Sequence, residues 1–490
     1  MKKISFILFL SLLSVYQLFS QQYKIEPSNY YIEGTSDTSY LVSGSDHPWL
    51  YFVDSSMTVF HKIKIPCTID YVPQMMVGRD SFYFAKIDIS NTTRFSLISV
   101  EKKNTSPSNI TEKLILSTSN GNDDKKIRRY VTVSPSRNHL SVATLYYEKK
   151  IPHIYLAVIN NNGEKKFECD YPIDIPKNYK FCYPSINVSD DGVAYFSYYV
   201  AQMDIKGNAK NPAACLILFE NGKACLYKSE ITQKPMRLEK HGEEGFYHNM
   251  PLTLVKRNGD FVTVLSSPLI KSRLSNKVVV CDYVNAVATC YKRNNNNFST
   301  HYSPAFSKQV YHQRFGSYEY VGIDVIDFWR FTPVAIYELK NGAVVMLFQP
   351  NWMSHKFKKV TTPGTNNTIT ETSDYQSGCD NIELILMNDN FSITHNANIY
   401  RRYKGESYYK YKYANFYSLS ALGVDTFFDD DTLYVICTNN GKEELYSIKF
   451  TNNKISGQIS PIMTLENIYY ILTIKNKSVF TKKGQQIPIE

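Results

Sequence analysis

The densest group of side chains that can bind a metal lies in HGEEGFYH, from His241 to His248. Two imidazoles and two carboxylates could in principle hold a divalent cation. The two glycines disfavour a stable helix, whereas the H-E-x-x-H zinc motif needs both histidines on one helical face. We therefore interpret this segment as a polar loop, and we predict no metal and no cofactor.

Paired carboxylates would be the signature of glycoside hydrolysis, which needs two of them roughly 5–10 Å apart. The turn pattern described below assigns seven short stretches to the same inner position of a repeat. They begin at Pro73, Val131, Pro184, Pro251, Pro333, Tyr417 and Tyr469, and none contains Asp or Glu. This argues against a glycosidase, although catalytic groups on loops stay open.

Aromatic and arginine side chains are the other residues suited to recognition, because they dominate binding hot spots. Two long connections, about 294–331 and 351–379, carry several of them. The binding candidates are Trp329, Trp352, Arg314, Tyr318, Tyr320 and Arg330. A second group is expected at the mouth of a central channel: Tyr71, Tyr183, His248 and Tyr417.

The cysteines number nine, an odd count, so at least one lacks an intramolecular partner. In CDYVNAVATC, a hairpin centred on Asn285-Ala286 would place Cys281 opposite Cys290. At a non-hydrogen-bonded position the Cα atoms would be about 4.5 Å apart, which a disulfide can bridge. We predict that disulfide.

The elements that position these residues are short strands separated by two alternating kinds of turn. One kind joins a first strand (A) to a second (B), as at Asn341-Gly342, where we expect a type I′ hairpin. The A–B turns are at 79–80, 137–138, 190–192, 258–259, 341–342, 429–431 and 476–477. The other kind joins a third strand (C) to a fourth (D), at 55–56, 104–109, 160–163, 221–222, 285–286, 388–389 and 451–453.

A four-stranded unit repeated at this spacing is typical of a β-propeller blade. We predict an all-β, seven-bladed propeller over residues 21–490. Its blades lie at about 69–117, 128–176, 181–231, 246–293, 332–399 and 415–462, and a seventh combines an N-terminal C–D pair (49–65) with a C-terminal A–B pair (467–483). Six or eight blades, or tandem β-sandwiches, are the alternatives.

Two of these units, VTVSPSRNHLSVATLYY (131–147) and INVSDDGVAYFSYY (186–199), resemble the Ser-Pro-Asp-Gly repeat of TolB-like and WD-type propellers. The first lacks Asp-Gly and the second lacks proline. The resemblance covers about two blades, and it implies a fold but no activity.

The N-terminus, MKKISFILFLSLLSVYQLFS, has the charged and apolar regions of a secretory signal, which we assign to residues 1–20. The formal net charge is +10, or +8 after Lys2 and Lys3 are removed with the signal. We expect a secreted, periplasmic or cell-surface protein with no integral membrane segment and no nucleic-acid partner.

From these features we expect a non-enzymatic binding or scaffold propeller for a protein or glycan. A propeller enzyme acting on polysaccharide is the alternative, and a purely structural secreted or envelope component is a second one. The long connections from the units at 181–231, 246–293 and 332–399 should all emerge on one face of the disc, which would be the working surface.

Overall fold

The protein was analysed as a computed structural model. The residues it describes are almost all in β-strands, with one 3-10 turn at Arg293–Asn295. Within these residues no helix is long and apolar enough to cross a membrane. The residues that the structure describes are 29–32, 39–43, 49–53, 59–64, 75–89, 92–102, 110–119, 127–203, 209–232, 251–266, 273–275, 278–280, 286–303, 324–361, 368–379, 381–399, 403–405, 424–429, 431–439, 442–451, 454–456, 459–465, 471–475, 478–481 and 486–488.

The chain divides into two compact units. Unit 1 comprises Met1–Asp124, Ile159–Lys166 and Asn467–Glu490, and unit 2 comprises Lys125–Val158 and Phe167–Glu466. The paired strands of these sheets are antiparallel, and we number the sheets in chain order.

Unit 1 contains three of these sheets. The first is β1 (Asn29–Ile32), β2 (Ser39–Ser43), β3 (Trp49–Val53) and β4 (Val59–Lys64); the second is β5 (Met75–Val77), β6 (Ser81–Ile89), β7 (Thr92–Glu101) and β8 (Ile110–Ser119); the eighth is β34 (Ile471–Lys475), β35 (Ser478–Thr481) and β36 (Gln486–Pro488).

Unit 2 holds the other five sheets, with the tip of the β11–β12 hairpin counted in unit 1. The third sheet is β9 (Arg128–Val133), β10 (His139–Glu148), β11 (Ile151–Asn160) and β12 (Lys165–Pro172), and the fourth is β13 (Tyr179–Val188), β14 (Ala194–Met203), β15 (Ala209–Glu220) and β16 (Lys223–Glu230). The fifth is β17 (Leu252–Val255), β18 (Phe261–Ser266), β21 (Ala286–Lys292) and β22 (Asn297–Tyr302), with a separate hairpin of β19 (Arg273–Ser275) and β20 (Val278–Val280). The sixth is β23 (Asp324–Glu338), β24 (Val344–Thr361), β25 (Thr368–Cys379), β26 (Ile382–Met387), β27 (Ile393–Ile399) and β28 (Tyr403–Gly405), and the seventh is β29 (Val424–Asp429), β30 (Thr432–Asn439), β31 (Lys442–Thr451), β32 (Lys454–Ser456) and β33 (Pro461–Leu465).

Central strands of unit 2 bury both faces, which explains their nearly continuous apolar sequences. On β14, Phe196 and Tyr198 pack with the third sheet, whereas Tyr195 and Tyr199 pack with the fifth. Each sheet from the third to the seventh packs on the next in this way. A tandem β-sandwich would bury only one face of each sheet, so this packing argues against that alternative.

The first strands of successive sheets also lie side by side in unit 2: β9 by β13, β13 by β17, β17 by β23, and β23 by β29. An inner row of first strands, with sheets stacked face to face, is the arrangement expected of propeller blades. The structure therefore confirms an all-β chain of repeated four-stranded antiparallel sheets.

All seven predicted A–B turns join consecutive strands of one sheet, so that assignment is confirmed. The turn type at Asn341-Gly342 is different from the prediction. Gly342 alone has a positive φ, +81°, and Leu339 N donates to Ala343 O, which gives a three-residue loop with a glycine bulge. Asn221-Gly222 has both residues at positive φ, +50° and +78°, as type I′ requires, and so does Lys149-Lys150.

One predicted C–D turn, at 285–286, is wrong. Ala286 begins β21, which is the third strand of the fifth sheet, and β21 turns into β22 through 293–296. The apolar stretch before it forms the β19–β20 hairpin. The sheet therefore ends at Tyr302 and not near residue 293.

The predicted split blade is also corrected. The N-terminal pair β3–β4 belongs to a complete sheet with β1 and β2, and the C-terminal pair β34–β35 pairs with β36. Strand β3 has β2 and β4 on its two edges, which leaves no edge for β35.

Most of the predicted long connections are strands. Residues 297–302 form β22 and 324–331 begin β23, while β24 and β25 account for nearly all of 351–379. The β-branched and aromatic residues of β23, β24 and β25 extend the sixth sheet rather than forming loops, and β22 is the outer strand of the fifth sheet.

Candidate functional site

Three A–B turns of unit 2 carry carboxylates that accept hydrogen bonds from backbone amides of the preceding turn. Asp190 accepts from Ser136 N at 2.8 Å, and its other oxygen accepts from Ser136 Oγ at 2.7 Å. Glu338 accepts from Arg257 N at 2.9 Å. Asp431 accepts from Lys340 N, also at 2.9 Å. We call Asp190, Glu338 and Asp431 the turn-face carboxylates.

Glu338 has a perturbed pKa. Burial raises the pKa of its carboxyl above the ordinary value, and the hydrogen bond from Arg257 N and the charge of Arg257 oppose that rise without cancelling it. The negative charge of Asp190 raises the pKa of Glu338 further, so the two carboxyls lie within electrostatic reach. A carboxyl with a raised pKa, within electrostatic range of a second carboxylate, is a candidate for general acid–base chemistry.

A buried ion-pair network adjoins this site. Lys256 is fully buried, and its ammonium contacts Asp389 and, at 3.6 Å, Asp260. The ammonium also lies 5.5 Å from the centre of the Phe391 ring. The pair joins the A–B turn of the fifth sheet to the C–D turn of the sixth, so its first role is to fix the two sheets in register.

Arg293 makes the corresponding link between the fourth and fifth sheets. Its guanidinium contacts Asp191 and, at 3.5 Å, Glu220, while its backbone amide donates to Asp260. Burial works to raise the pKa of Asp191, but hydrogen bonds from Ser189 and Arg293 outweigh it and hold that pKa below its usual value. This pair keeps Asp191 ionised and bound, which makes it unsuitable as a proton donor.

Neutral hydrogen-bonding groups line the neighbouring inner strands β13 and β17. Asn187 Nδ2 donates to Thr253 Oγ1 at 2.8 Å, and Ser185 Oγ lies 3.2 Å from the same oxygen. All three side chains are partly exposed. Amide and hydroxyl groups of this kind suit a hydroxylated, uncharged ligand.

The sequence argument that inner strands lack carboxylates is wrong, because it used incorrect strand limits. The inner strand β23 begins at Asp324 and ends at Glu338, and it includes Asp327. The inner strand of the seventh sheet is β29, with Asp425 and Asp429, and not the stretch at Tyr417.

Trp329 and Trp352 are brought together. They are directly opposite in the β23–β24 ladder, and the next pair is Arg330 with Asn351. A register shift between Ile326 and Phe328 marks a bulge just before them. The predicted positions of these three binding candidates on a loop are therefore corrected to positions on paired strands.

Tyr183 is not exposed at a channel mouth. It is 7% exposed, has φ +53° at a bulge of β13, and its ring packs edge-on to Tyr199 with centroids 6.3 Å apart. The other predicted residues, Tyr71, His248, Tyr417, Arg314, Tyr318 and Tyr320, lie outside the described residues, as does the segment 241–248. No cluster able to hold a metal occurs in the ranges given above.

The predicted cross-strand position of Cys290 is wrong as well. Cys290 lies in β21, where its cross-strand neighbours are Val262 and Ser299. Its thiol is free and buried, 4.0 Å from Met387 Sδ. Cys281 lies outside the described residues.

The turn-face carboxylates were missed by the sequence analysis. Each follows a recognisable signal, an acidic residue within or directly before an A–B turn. This arrangement is not visible in the sequence, because Asp190 and Glu338 are far apart in the chain and come within electrostatic range of each other only through sheet stacking.

No protein-family model and no curated protein matches the chain. Solved structures similar in overall trace include polysaccharide lyase Uly1, with 10% identity, TM-score 0.40, and coverage of 90% of this chain and 93% of that one. A protein from Lactobacillus plantarum has 11% identity, TM-score 0.35, and coverage of 90% and 96%. The β-propeller domain of the Trilobed protease from Pyrococcus furiosus has 8% identity, TM-score 0.35, and coverage of 90% and 96%. Likenesses this distant assign neither a fold nor an activity to this chain.

Proposed function

We propose that the protein is a β-propeller that acts on a polysaccharide, with Glu338 and Asp190 as its acid–base pair. The observation that carries the proposal is the position of Glu338, a partly buried carboxylate bound to Arg257 N on the turn face, whose pKa is raised by burial and further by the charge of Asp190. Glu338 would donate the proton to the leaving oxygen, and Asp190, oriented by Ser136, would act as the second carboxylate.

The propeller architecture is part of this proposal. It is supported by the stacked sheets and the adjacent inner strands of unit 2. The predicted count of seven blades stays a prediction, modified because β1–β4 form a complete blade and not half of one.

The test is an activity assay for new reducing ends, or for unsaturated products, on a panel of neutral and acidic polysaccharides. We expect Glu338→Gln to lower kcat by about 100-fold or more, as loss of a general acid does. Glutamine still accepts the hydrogen bond from Arg257 N, so the turn should be preserved. Asp190→Asn should give a comparable loss.

The matched control is Glu230→Gln, which changes an exposed carboxylate on the outer strand β16. It should leave kcat unchanged. Wild-type kcat in a folded Glu338→Gln variant would refute the assignment of the acid.

Non-enzymatic binding of a glycan or protein is the second candidate, and one observation favours it. The register pairs Trp329 with Trp352 beside Arg330, and Trp and Arg are common anchors of binding sites. A glycan array and an affinity capture from culture medium would identify the ligand. Trp352→Ala, Arg314→Ala or Tyr320→Ala should then weaken binding by more than about 1 kcal/mol.

The two candidate functions predict different effects of the two variants on binding and on turnover. Binding without turnover, lost in Trp352→Ala and unaffected in Glu338→Gln, supports the binding protein. Turnover lost in Glu338→Gln supports the enzyme. In both cases we propose an exported protein, because of the signal-like residues 1–20.

A further inference from the structure

A row of threonines crosses the fifth sheet from its inner to its outer strand. Thr253 on β17 is opposite Thr263 on β18, Thr263 is opposite Thr289 on β21, and Thr289 is opposite Thr300 on β22. Directly opposite residues lie on the same face of a sheet. The row therefore forms one continuous line of hydroxyls.

The face that carries this row packs on the fourth sheet. The residues two before and two after the threonines contact that sheet in two apolar clusters, one on each side of the row. One cluster includes Val255, Phe261 and Tyr291, and the other includes Leu265 and Val287. The hydroxyls of Thr263 and Thr289 are thus enclosed between two apolar layers, whereas Thr253 and Thr300 at the ends of the row are partly exposed.

Three of the four threonines have a polar partner across the interface. Thr253 pairs with Ser185 and Asn187, as described above. Thr263 Oγ1 lies 3.2 Å from the Tyr199 hydroxyl, and Thr300 Oγ1 lies 2.8 Å from Ser229 Oγ.

Thr289 is the exception. It is 0% exposed, and its hydroxyl interacts with the Tyr199 hydroxyl but has no partner at full hydrogen-bond geometry. On the facing sheet, Ser197 is 1% exposed and its hydroxyl has none either. Ser197 is cross-strand from Ser185 and two residues from Tyr199, so it belongs to the same polar row.

An unpaired hydroxyl enclosed in protein destabilises the folded state, so native structures usually satisfy it with protein or ordered water. We propose that the hydroxyl row between the fourth and fifth sheets is a water-binding site, in which ordered water bridges Ser197 and Thr289 beside Tyr199 and Thr263. A buried water typically makes about three hydrogen bonds, and these four hydroxyls supply them. The ligand is water itself, so the site would be part of the fold and independent of the proposed catalytic function.

The test measures the stability of Thr289→Val, because a row that binds water and a dry row predict changes of opposite sign. If water binds Thr289, Thr289→Val removes one hydrogen-bond partner of that water. The unfolding equilibrium constant should then rise about fivefold or more, as for other lost buried hydrogen bonds. Thr289→Ser keeps the hydroxyl. It should retain the crystallographic water and lose only the contacts of one methyl group.

If the row is dry, Thr289→Val replaces an unsatisfied hydroxyl by a methyl of the same shape, and the variant should be as stable as wild type or more so. That result would overturn the proposal. The matched control is Thr144→Val, because Thr144 is equally buried and unpartnered but lies on β10, outside the row.

A crystal structure of the full chain supplies the second readout. Electron density for water within hydrogen-bonding distance of Ser197 Oγ and Thr289 Oγ1 supports the site. Continuous protein density with no such water at high resolution refutes it, whatever the stability of the variants.

Discussion

At the scale of single residues, the turn glycines give the sharpest expectation. Gly342 has φ +81°, and an added Cβ would lie 2.9 Å from Asp389 Oδ1. That oxygen is fixed by the buried Lys256, so it cannot move away freely. Gly222 has a similar φ, +78°, but its nearest neighbour would be Glu168 O at 4.0 Å.

We expect both Gly342→Ala and Gly222→Ala to lower the free energy of unfolding by about 1–2 kcal/mol, since L-residues disfavour this backbone region. Gly342→Ala should lower the free energy of unfolding by at least about 1 kcal/mol more, because its Cβ clashes with Asp389 and disturbs the Asp389–Lys256 ion pair. Urea denaturation of the two variants measures the difference. Equal losses would show that the Asp389–Lys256 contact is not rigid.

Glu338 provides a pH-dependent expectation. Its pKa is raised in the folded protein, mainly by burial, so between its ordinary pKa of 4.5 and the raised value the folded chain binds more protons than the unfolded chain. The free energy of unfolding then falls as pH rises through that window. Glu338→Gln cannot ionise, and its stability relative to wild type should therefore increase from below pH 4.5 toward neutrality.

This dependence is measured by denaturant unfolding at a series of pH values, with Glu230→Gln as the control. A difference between Glu338→Gln and wild type that stays constant with pH would mean that Glu338 titrates alike in the folded and unfolded chain. Its role as the proposed acid would then lose its physical basis.

At the scale of elements, the A–B turns act as connectors between neighbouring sheets. Asp431 holds Lys340 N, as Glu338 holds Arg257 N and Asp190 holds Ser136 N. We expect Asp431→Ala to lower the free energy of unfolding by about 1.5–3 kcal/mol, the range for hydrogen bonds to charged groups. Asp431→Asn keeps an acceptor oxygen and should lose less. Thermal unfolding that ranks the asparagine variant below the alanine variant would contradict this connecting role.

The turns were also the elements that the sequence predicted best. Asn, Asp and Gly are typical turn residues, and this preference located the seven A–B turns. A positive φ occurs in four of these turns, at Arg137, Gly192, Gly259 and Gly342. It did not separate a type I′ turn from a type I turn with a bulge at Asn341-Gly342, because both accept Asn-Gly. The error at 285–286 arose because the valines of β20 have the composition of a sheet strand and yet form a local hairpin.

The candidate site was less predictable for a physical reason. The pKa of Glu338 depends on burial and on Asp190, and both follow from stacking of sheets that are distant in sequence. The inner strands were placed a few residues too early or too short, and this error removed Asp425 and Asp327 from the search for carboxylates.

At the scale of the whole molecule, the buried cysteine thiols report on the cooperativity of the stacked sheets. Cys182 and Cys215 lie in the fourth sheet, Cys290 in the fifth and Cys437 in the seventh, and all four are buried. Burial raises the pKa of Cys182 to about 12 and that of Cys215 to about 11, and it raises the pKa of Cys290 well above the usual range. A thiol reacts through its thiolate, so these groups should be inert while the sheets stay packed.

Cys225, on the outer strand β16, is exposed. We therefore expect a maleimide reagent at neutral pH to label Cys225 in the native protein, and to label the four buried thiols only after unfolding. Mass spectrometry of peptides along a urea gradient follows each site separately. Because each sheet from the third to the seventh packs on the next, the buried thiols should become reactive together, at one urea concentration, within unit 2. Labelling of Cys437 well before Cys182 and Cys215 would show that the seventh sheet unfolds alone, and that stacking couples the sheets less strongly than their shared cores imply.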